Sequence, residues 1–178
     1  MPKRLRERNI FSSKQFTIKE IDLLLENGKE VTYEISDVGE SVMVVPMVDE
    51  GTVLLINEYH AGIDEYQVGL CKGAIEKGQT PSEAAQKELQ EEVGYKAGRL
   101  EELAVLTSSP GYSTHKTHIF LARDLQESRL QGDEEEELQV IPHSLATFED
   151  LIDKGQLTEA RMIAALYLAR RVLSKRRG

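Results

Sequence analysis

The sequence contains a single cysteine, Cys71, among its 178 residues. One thiol cannot form a disulfide within the chain, so packing must hold the fold together, as is usual in a reducing compartment such as the cytoplasm. No residues that resemble the partners of a catalytic triad accompany Cys71, which favours a packed side chain over a nucleophile. We therefore expect a cytoplasmic protein in which Cys71 has a structural role.

Long apolar segments are also missing. No run reaches the roughly 18 apolar residues that a membrane-spanning helix needs, so no membrane partner is expected. The N-terminus is basic, but no apolar segment follows it, so a secretory signal is not expected either. The chain shows no internal repeat and no low-complexity segment. Its length of 178 residues, with 40% apolar residues, favours a globular protein with a sizeable core.

Positive charge is in deficit, since the formal net charge is −9. This balance argues against binding along a nucleic-acid backbone, and no nucleic-acid partner is expected. It does not exclude a small anionic substrate, because a bound metal ion can offset the substrate's charge. Five consecutive acids, Asp133 to Glu137, form a stretch that we call the acidic segment.

A loop followed by a capped helix is predicted between residues 73 and 95. Thr80 suits the N-cap position, and Glu83 suits the third helical position of a capping box. Gly94 can take the left-handed conformation that ends many helices. The sequence therefore predicts a helix from Pro81 to Val93.

Three glutamates of this helix, Glu88, Glu91 and Glu92, have the spacing i, i+3, i+4 that brings side chains to one face. Lys87 precedes them by one residue and is expected to point away from that face. Carboxylates that cluster in this way repel one another, and oxygen ligands of this kind suit hard cations such as Mg²⁺. A solvated acidic helix face is the alternative interpretation of the same pattern.

The stretch from residue 73 to residue 95 resembles the Nudix box, G-x5-E-x7-R-E-U-x-E-E-x-G-U, in which U is a bulky apolar residue. The residues that match are Gly73, Glu88, Leu89, Glu91, Glu92, Gly94 and Tyr95. Gln79 replaces the first glutamate of the pattern, and Lys87 replaces its arginine. The resemblance assigns Gly73, Gln79, Lys87 and Gly94 to the support of the box.

The resemblance implies an α+β fold of the Nudix type, an α-β-α sandwich with a mixed sheet, preceded by an N-terminal β-hairpin. It implies that Mg²⁺, with Mn²⁺ as an alternative, is held mainly by Glu88 and Glu92. Glu91 would share that work, and the carbonyl oxygen of Lys72 would be the backbone ligand. The implied activity is hydrolysis of a nucleoside diphosphate linked to another group.

Features outside the box resemble two subfamilies, the ADP-ribose pyrophosphatases and the bacterial ADP compounds hydrolases of the NudE type. Residues 109–113 resemble the Ser-Pro-Gly-x-Ser loop of the first, and residues 65–73 resemble the approach to the box in the second. The implied substrates are ADP-ribose, NADH or diadenosine polyphosphates, with release of AMP. The candidate substrate-binding residues are His60, Gln67, Pro110, Gly111, Tyr112 and Ser113.

Two alternatives to this activity stay open at the level of the sequence. One is a nucleotide-sugar pyrophosphatase of another specificity. The other is a nucleotide-binding module that has lost turnover. The departures from the Nudix-box pattern at Gln79 and Lys87 favour this second alternative.

The catalytic base is expected in the acidic segment, at Glu134 or Glu136, because the ADP-ribose group carries a water-activating glutamate on a loop at this place. Glu91 in the box is the third candidate. The alternative is that the acidic segment is only a solvated loop.

The N-terminal part is predicted to form a hairpin over residues 15–36, because Asn27-Gly28 is a strong signal for a tight β-turn. We expect residues 1–40 to be a hairpin region that forms a homodimer and residues 41–178 to be the Nudix domain. The dimer is implied by resemblance to related homodimers. The side chains expected to face the partner are Phe16, Ile18, Leu23 and Leu25.

Overall fold

The computed structural model describes residues 1–132 and 138–176. The chain forms two compact units, which are described separately. The first unit comprises Met1–Glu40 and Thr107–Lys116, and the second comprises Ser41–Leu106 and the chain from Thr117 onward.

The strands and helices of the described residues follow in chain order. The strands are β1 (Lys3–Ser12), β2 (Thr17–Leu24), β3 (Glu30–Ser36), β4 (Glu40–Pro46), β5 (Thr52–His60), β6 (Glu65–Gly69), β7 (Lys72–Ala74), β8 (Tyr95–Thr107), β9 (Lys116–Glu127) and β10 (Gln139–Ser144). The helices are α1 (Pro81–Glu88), α2 (Glu149–Asp153) and α3 (Ala160–Arg176), and a π-helical turn, Leu89–Val93, continues α1.

The first unit contains an antiparallel sheet in the order β1-β2-β3. The predicted hairpin is present as β2 and β3, and Gly28 in its turn has a φ of +79°. The sequence did not predict β1, which pairs with β2 from Lys3 opposite Leu24 to Ser12 opposite Thr17. Every residue of β1 is exposed. A strand without a buried face lacks the alternation of apolar and polar residues by which strands are predicted.

The second unit contains two sheets, in the orders β7-β4-β9-β8 and β10-β5-β6. Strand β5 pairs antiparallel with both β10 and β6, and β4 pairs antiparallel with β7. The inner strands β4 and β5 are apolar along most of their length because both of their faces are covered. The short strand β7 brings the first residue of the Nudix box next to the core strand β4.

Alternate residues of β4, β5 and β9 enter two separate cores. One core combines Val42, Val44, Leu54, Ile56, Phe120 and Ala122 with Ala84, Ala85, Leu89 and Val93 of α1 and its π turn. The other combines Met43, Val45, Val53, Leu55, Ile119 and Leu121 with Phe148 and Leu151 of the α2 region and Met162, Ala165, Leu166 and Ala169 of α3. Helices therefore cover both faces of the strands, and the second unit is the predicted α-β-α sandwich.

The α2 region and α3 are fastened together by Arg170. Its guanidinium donates to both carboxylate oxygens of Glu149, at 2.7 and 2.8 Å. The same group stacks on the rings of Phe148 and Tyr167, with its central carbon 5.0 and 4.9 Å from the ring centres.

Within residues 1–132 and 138–176, no helix has the length and apolar character needed to cross a membrane.

Candidate active site

The start of α1 is fixed by the capping box that the sequence predicted. The hydroxyl of Thr80 accepts a hydrogen bond from the backbone N–H of Glu83 at 3.3 Å, and the Glu83 carboxylate accepts one from the N–H of Thr80 at 2.8 Å. Further along, the side-chain amide of Gln86 exchanges two hydrogen bonds with the backbone of Ala97 in β8, at 2.8 and 3.0 Å. These contacts and the burial of Ala85 fix the position of α1 against the sheet.

The end of the helix differs from the prediction, because its last turn is a π-helix over Leu89–Val93. The N–H of Gly94 donates to the carbonyl of Leu89 at 3.1 Å, and Gly94 has a φ of +83°. The helix bounds and the terminal glycine were predicted correctly. Glu91 and Glu92 therefore lie within a π turn and not in a regular α-helix.

Glu92 is the most deeply buried of the three glutamates, with 4% of its surface exposed. Its Oε2 accepts a hydrogen bond from the backbone N–H of Lys72 at 3.2 Å. Burial raises the pKa of Glu92 to about 8; the charges of Glu88 and Glu58 add to the rise, and that of Lys72 opposes it. Glu92 is therefore a carboxylate whose ionised form lacks full compensation by the protein.

Glu88 lies against the same stretch of backbone. A Cβ atom placed on Gly73 would be 2.1 Å from Cδ of Glu88 and within 2.3 Å of both carboxylate oxygens. Position 73 must therefore be glycine if the carboxylate is to keep this place. Glu88 and Glu92 thus converge on the backbone of Lys72 and Gly73 in β7.

Glu91, by contrast, interacts with Lys87, whose Nζ lies 3.6 Å from Oε2 of Glu91. The expectation that Lys87 points away from the glutamates is wrong, because an i, i+4 pair lies on one side of the helix. The same ammonium donates to Glu76 of the preceding loop at 2.8 Å. Gln79 completes that loop by accepting from the N–H of Glu76 at 3.1 Å. Gln79 and Lys87, the two departures from the Nudix-box pattern, therefore hold the loop before α1 and the side chain of Glu91 in place.

The donor set fits a hard divalent cation. Among the described residues, no three His, Cys, Asp or Glu side chains are grouped closely enough to hold a metal ion by themselves. The three glutamates that the resemblance implies are therefore not grouped in this way: Glu91 would share the work, but the main ligands are Glu88, Glu92 and the carbonyl oxygen of Lys72. All three are oxygen donors, which Mg²⁺ prefers, and the buried charge of Glu92 would be balanced by a cation.

An ion pair that the sequence did not reveal lies beside these carboxylates. The Nζ of Lys72 donates to Oε2 of Glu58 in β5. The Nε2 of His60, a predicted substrate-binding residue, is 3.9 Å from the same carboxylate. From the sequence, Lys72 was expected to contribute only its carbonyl oxygen. One signal in the sequence could have singled out Glu58. It is a charged residue near the end of an otherwise apolar strand, directly before Tyr59 and His60.

Gln67 occupies a buried position in β6, opposite Glu58 in the strand register. It is 7% exposed, and its side-chain oxygen accepts a hydrogen bond from the hydroxyl of Thr158 at 2.6 Å. This bond fixes Gln67 within the second unit, so the residue presents little surface to a ligand. Its assignment to the substrate site stays a prediction.

The loop of residues 109–113 belongs to the first unit. The carbonyl of Ser109 accepts hydrogen bonds from the N–H groups of Tyr112 and Ser113, at 3.1 and 2.8 Å. Ser113 forms a parallel bridge with Ser36, and Tyr112 is 63% exposed. Pro110 and Gly111 are exposed as well. The loop is thus an ordered turn that presents its tip to solvent.

Glu134 and Glu136, the other predicted catalytic residues, lie outside the described residues.

Comparison with known proteins defines the class of this chain. Residues 38–166 match the NUDIX domain, so the chain belongs to the Nudix family, and the prediction of a Nudix hydrolase is confirmed. The chain is 39% identical over 171 residues to the ADP compounds hydrolase NudE of Escherichia coli (strain K12), covering 95% of this chain and 91% of that protein. It is 30% identical over 171 residues to the ADP-ribose pyrophosphatase of Bacillus subtilis (strain 168), covering 92% of each.

The fold agrees with these relationships. A crystal structure of an ADP compounds hydrolase superposes with a TM-score of 0.90 at 38% identity, covering 98% of this chain and 95% of that one. The predicted Nudix-type α-β-α fold is therefore confirmed.

We expect Glu92→Gln to raise the melting temperature of the metal-free protein and to abolish its stabilisation by Mg²⁺. The amide can still accept from the N–H of Lys72, and it replaces a carboxyl group that must take up a proton on folding at pH 7, because burial raises its pKa to about 8 in the folded chain. A gain on the order of 1 to 3 kcal/mol in the free energy of unfolding is expected. Thermal unfolding with and without Mg²⁺ measures both effects.

The matched control is Glu30→Gln, which removes a carboxylate at an exposed position of β3. It should change neither melting temperature appreciably. A Glu92→Gln protein that is less stable than wild type without metal, yet gains the same stabilisation from Mg²⁺, would contradict the assignment.

Proposed function

We propose that this protein is a Mg²⁺-dependent pyrophosphohydrolase that cleaves ADP-linked compounds such as ADP-ribose, NADH or diadenosine polyphosphates and releases AMP. The convergence of Glu88 and Glu92 on the backbone of Lys72 and Gly73 carries the proposal. Two relatives support the substrate class, since one is an ADP compounds hydrolase and the other an ADP-ribose pyrophosphatase. Mn²⁺ is the alternative metal, because it accepts the same oxygen donors.

The proposed reaction is a displacement at phosphorus by water. A bond forms between the water oxygen and one phosphorus atom of the diphosphate, and the bridging P–O bond breaks. A bound divalent cation would offset charge on the phosphoryl oxygens and make the water more acidic. The carboxylates of Glu88 and Glu92 would hold that cation, and Glu91 would assist from its place beside Lys87.

The proton of the attacking water needs an acceptor, and we place it in the acidic segment at Glu134, with Glu136 as the alternative. Glu91 is the weaker candidate. Its carboxylate is already engaged by the ammonium of Lys87, which lies 3.6 Å away.

The structure offers little support for loss of turnover. Gln79 and Lys87, the departures that favoured a pure binding module, interact with Glu76 and Glu91. No hydrogen bond or ion pair described for either residue involves Glu92, and the glycine required by Glu88 is retained. A nucleotide-sugar pyrophosphatase of another specificity remains the alternative, and the choice of substrates tests it.

A homodimer formed through residues 1–40 and a cytoplasmic location complete the proposal. Exposed apolar side chains in the first unit support the dimer: Leu5, Ile10, Phe11, Phe16 and Tyr33 are 43 to 56% exposed. Of the side chains predicted to face the partner, Phe16 is exposed, whereas Ile18, Leu23 and Leu25 are half-buried.

The buried, unpaired thiol of Cys71 supports a reducing compartment.

The proposed activity predicts that the purified protein with Mg²⁺ converts ADP-ribose to AMP and ribose 5-phosphate. A panel of ADP-ribose, NADH, diadenosine polyphosphates and GDP-linked sugars, followed by chromatography of the products, measures both activity and preference. Turnover restricted to the GDP-linked sugars would favour the alternative specificity. A lack of turnover with every compound, at Mg²⁺ concentrations that stabilise the protein, would contradict hydrolysis.

If Glu134 is the base, Glu134→Gln should lower kcat by about 10² to 10⁴-fold and change KM little, because the residue acts only on the attacking water. Glu136→Gln is the matched neighbour and should retain most of the activity. Single-turnover kinetics of the two variants separate chemistry from product release. Wild-type rates for both would place the base elsewhere, with Glu91 as the next candidate.

The proposed dimer predicts that light scattering gives twice the 20.0 kDa mass of one chain at micromolar concentration. Phe11→Asp combined with Phe16→Asp should yield a monomer, because charges on an apolar contact surface oppose association. Val48→Asp, at an exposed apolar position of the second unit, is the control and should remain dimeric. A monomeric wild-type protein would contradict the proposal.

A further inference from the structure

The side-chain ammonium of Lys72 lies among the carboxylates of the site, and the ammonium has no function assigned to it so far. Lys72 follows Cys71 into β7, and its side chain is 24% exposed. Its ammonium donates to Glu58, whose side chain is 25% exposed and comes from β5 in the other sheet of the second unit. The pair therefore connects the two sheets and holds the ammonium in a defined, partly open position.

The charges around this ammonium are mostly negative. The backbone N–H of Lys72 binds Glu92, and the carboxylate of Glu88 lies against the next residue, Gly73. The positive charge of Lys72 opposes the rise in the pKa of Glu92 that burial causes. The ammonium is thus close enough to act electrostatically on a carboxylate that would hold the metal ion.

A purely structural role explains this placement poorly. An ion pair with both partners partly exposed contributes only about 0 to 1 kcal/mol to stability. A fixed positive charge next to metal-binding carboxylates also weakens the binding of a divalent cation by repulsion. The placement becomes favourable when an anion arrives together with the cation, because the anion is attracted by both.

We infer that the Lys72 ammonium binds the diphosphate of the substrate and that Glu58 positions it for that contact. The inference rests on the proposed function for its substrate class. Three N–H donors on a flexible side chain suit the non-bridging phosphoryl oxygens. The backbone carbonyl of Lys72 would serve the metal ion and its side chain the phosphate, so this one residue would align the two.

The first test is equilibrium binding of the non-hydrolysable α,β-methylene analogue of ADP-ribose in the presence of Mg²⁺, measured by calorimetry. Lys72→Met should weaken binding by about 10- to 100-fold, the usual effect of losing a charged hydrogen bond. Lys72→Arg should retain part of the affinity because it keeps the charge. Lys154→Met removes a charge from an exposed lysine that caps α2 and should bind the analogue like wild type.

A second measurement separates phosphate binding from structural support. Binding of Mn²⁺ without nucleotide is followed by electron paramagnetic resonance at a pH above the pKa of Glu92, where its carboxylate is ionised. It should be as tight in Lys72→Met as in wild type or tighter, because a repelling charge is gone. A structural lesion would weaken the binding of Mn²⁺ and of the analogue together, and that result would overturn the inference.

The role of Glu58 is tested by a double-mutant cycle. Glu58→Gln should weaken binding of the analogue less than Lys72→Met does, and it should have little effect in a chain that already carries Lys72→Met. Additive losses would overturn the positioning role.

The outcomes also separate this inference from the proposed function. If wild type binds the analogue through Lys72 but hydrolyses no ADP-linked compound, the proposed activity fails and the inference stands. If Lys72→Met binds the analogue like wild type, or wild type does not bind it, the inference is overturned.

Discussion

The buried carboxylate of Glu92 is the feature on which the rest of the site depends. It accepts one backbone hydrogen bond, from Lys72, and burial raises its pKa to about 8. A group of this kind opposes folding unless a cation compensates it, so its presence is explained by binding rather than by stability. Natural proteins tolerate such local costs where function requires them.

The architecture supplies the position of that carboxylate. Alternate residues of the central strands fill one core under α1 and another under α2 and α3. The helix that carries Glu88 and Glu92 is therefore fixed by its buried residues, by the capping box at Thr80 and by the hydrogen bonds of Gln86 to Ala97. Strand β7 approaches from the sheet and provides the backbone on which the two carboxylates meet.

The signals that could be read from the sequence were local. Thr80, Glu83 and Gly94 specify a helix start and stop within a few residues, and Asn27-Gly28 specifies a turn, so these elements were predicted with nearly correct bounds. The spacing of the Nudix box likewise led to the correct family.

The features that the sequence did not reveal depend on tertiary contacts. The exposed strand β1 has no buried face to mark it, and no residue pattern marked the π turn in advance. The ion pair of Lys72 with Glu58 joins residues from different sheets, which no local rule brings together. The contact of Lys87 with Glu91 is an exception, because the i, i+4 spacing of these two residues predicts it from the sequence alone.

The most direct test of this account is the position of the metal ion. A crystal of the protein soaked with Mn²⁺ can be measured for anomalous scattering, which locates the ion independently of the surrounding atoms. A peak is expected about 2.1 Å from carboxylate oxygens of Glu88 and Glu92 and from the carbonyl oxygen of Lys72. A well-occupied peak elsewhere, with Glu92 still bonded only to the N–H of Lys72, would contradict it.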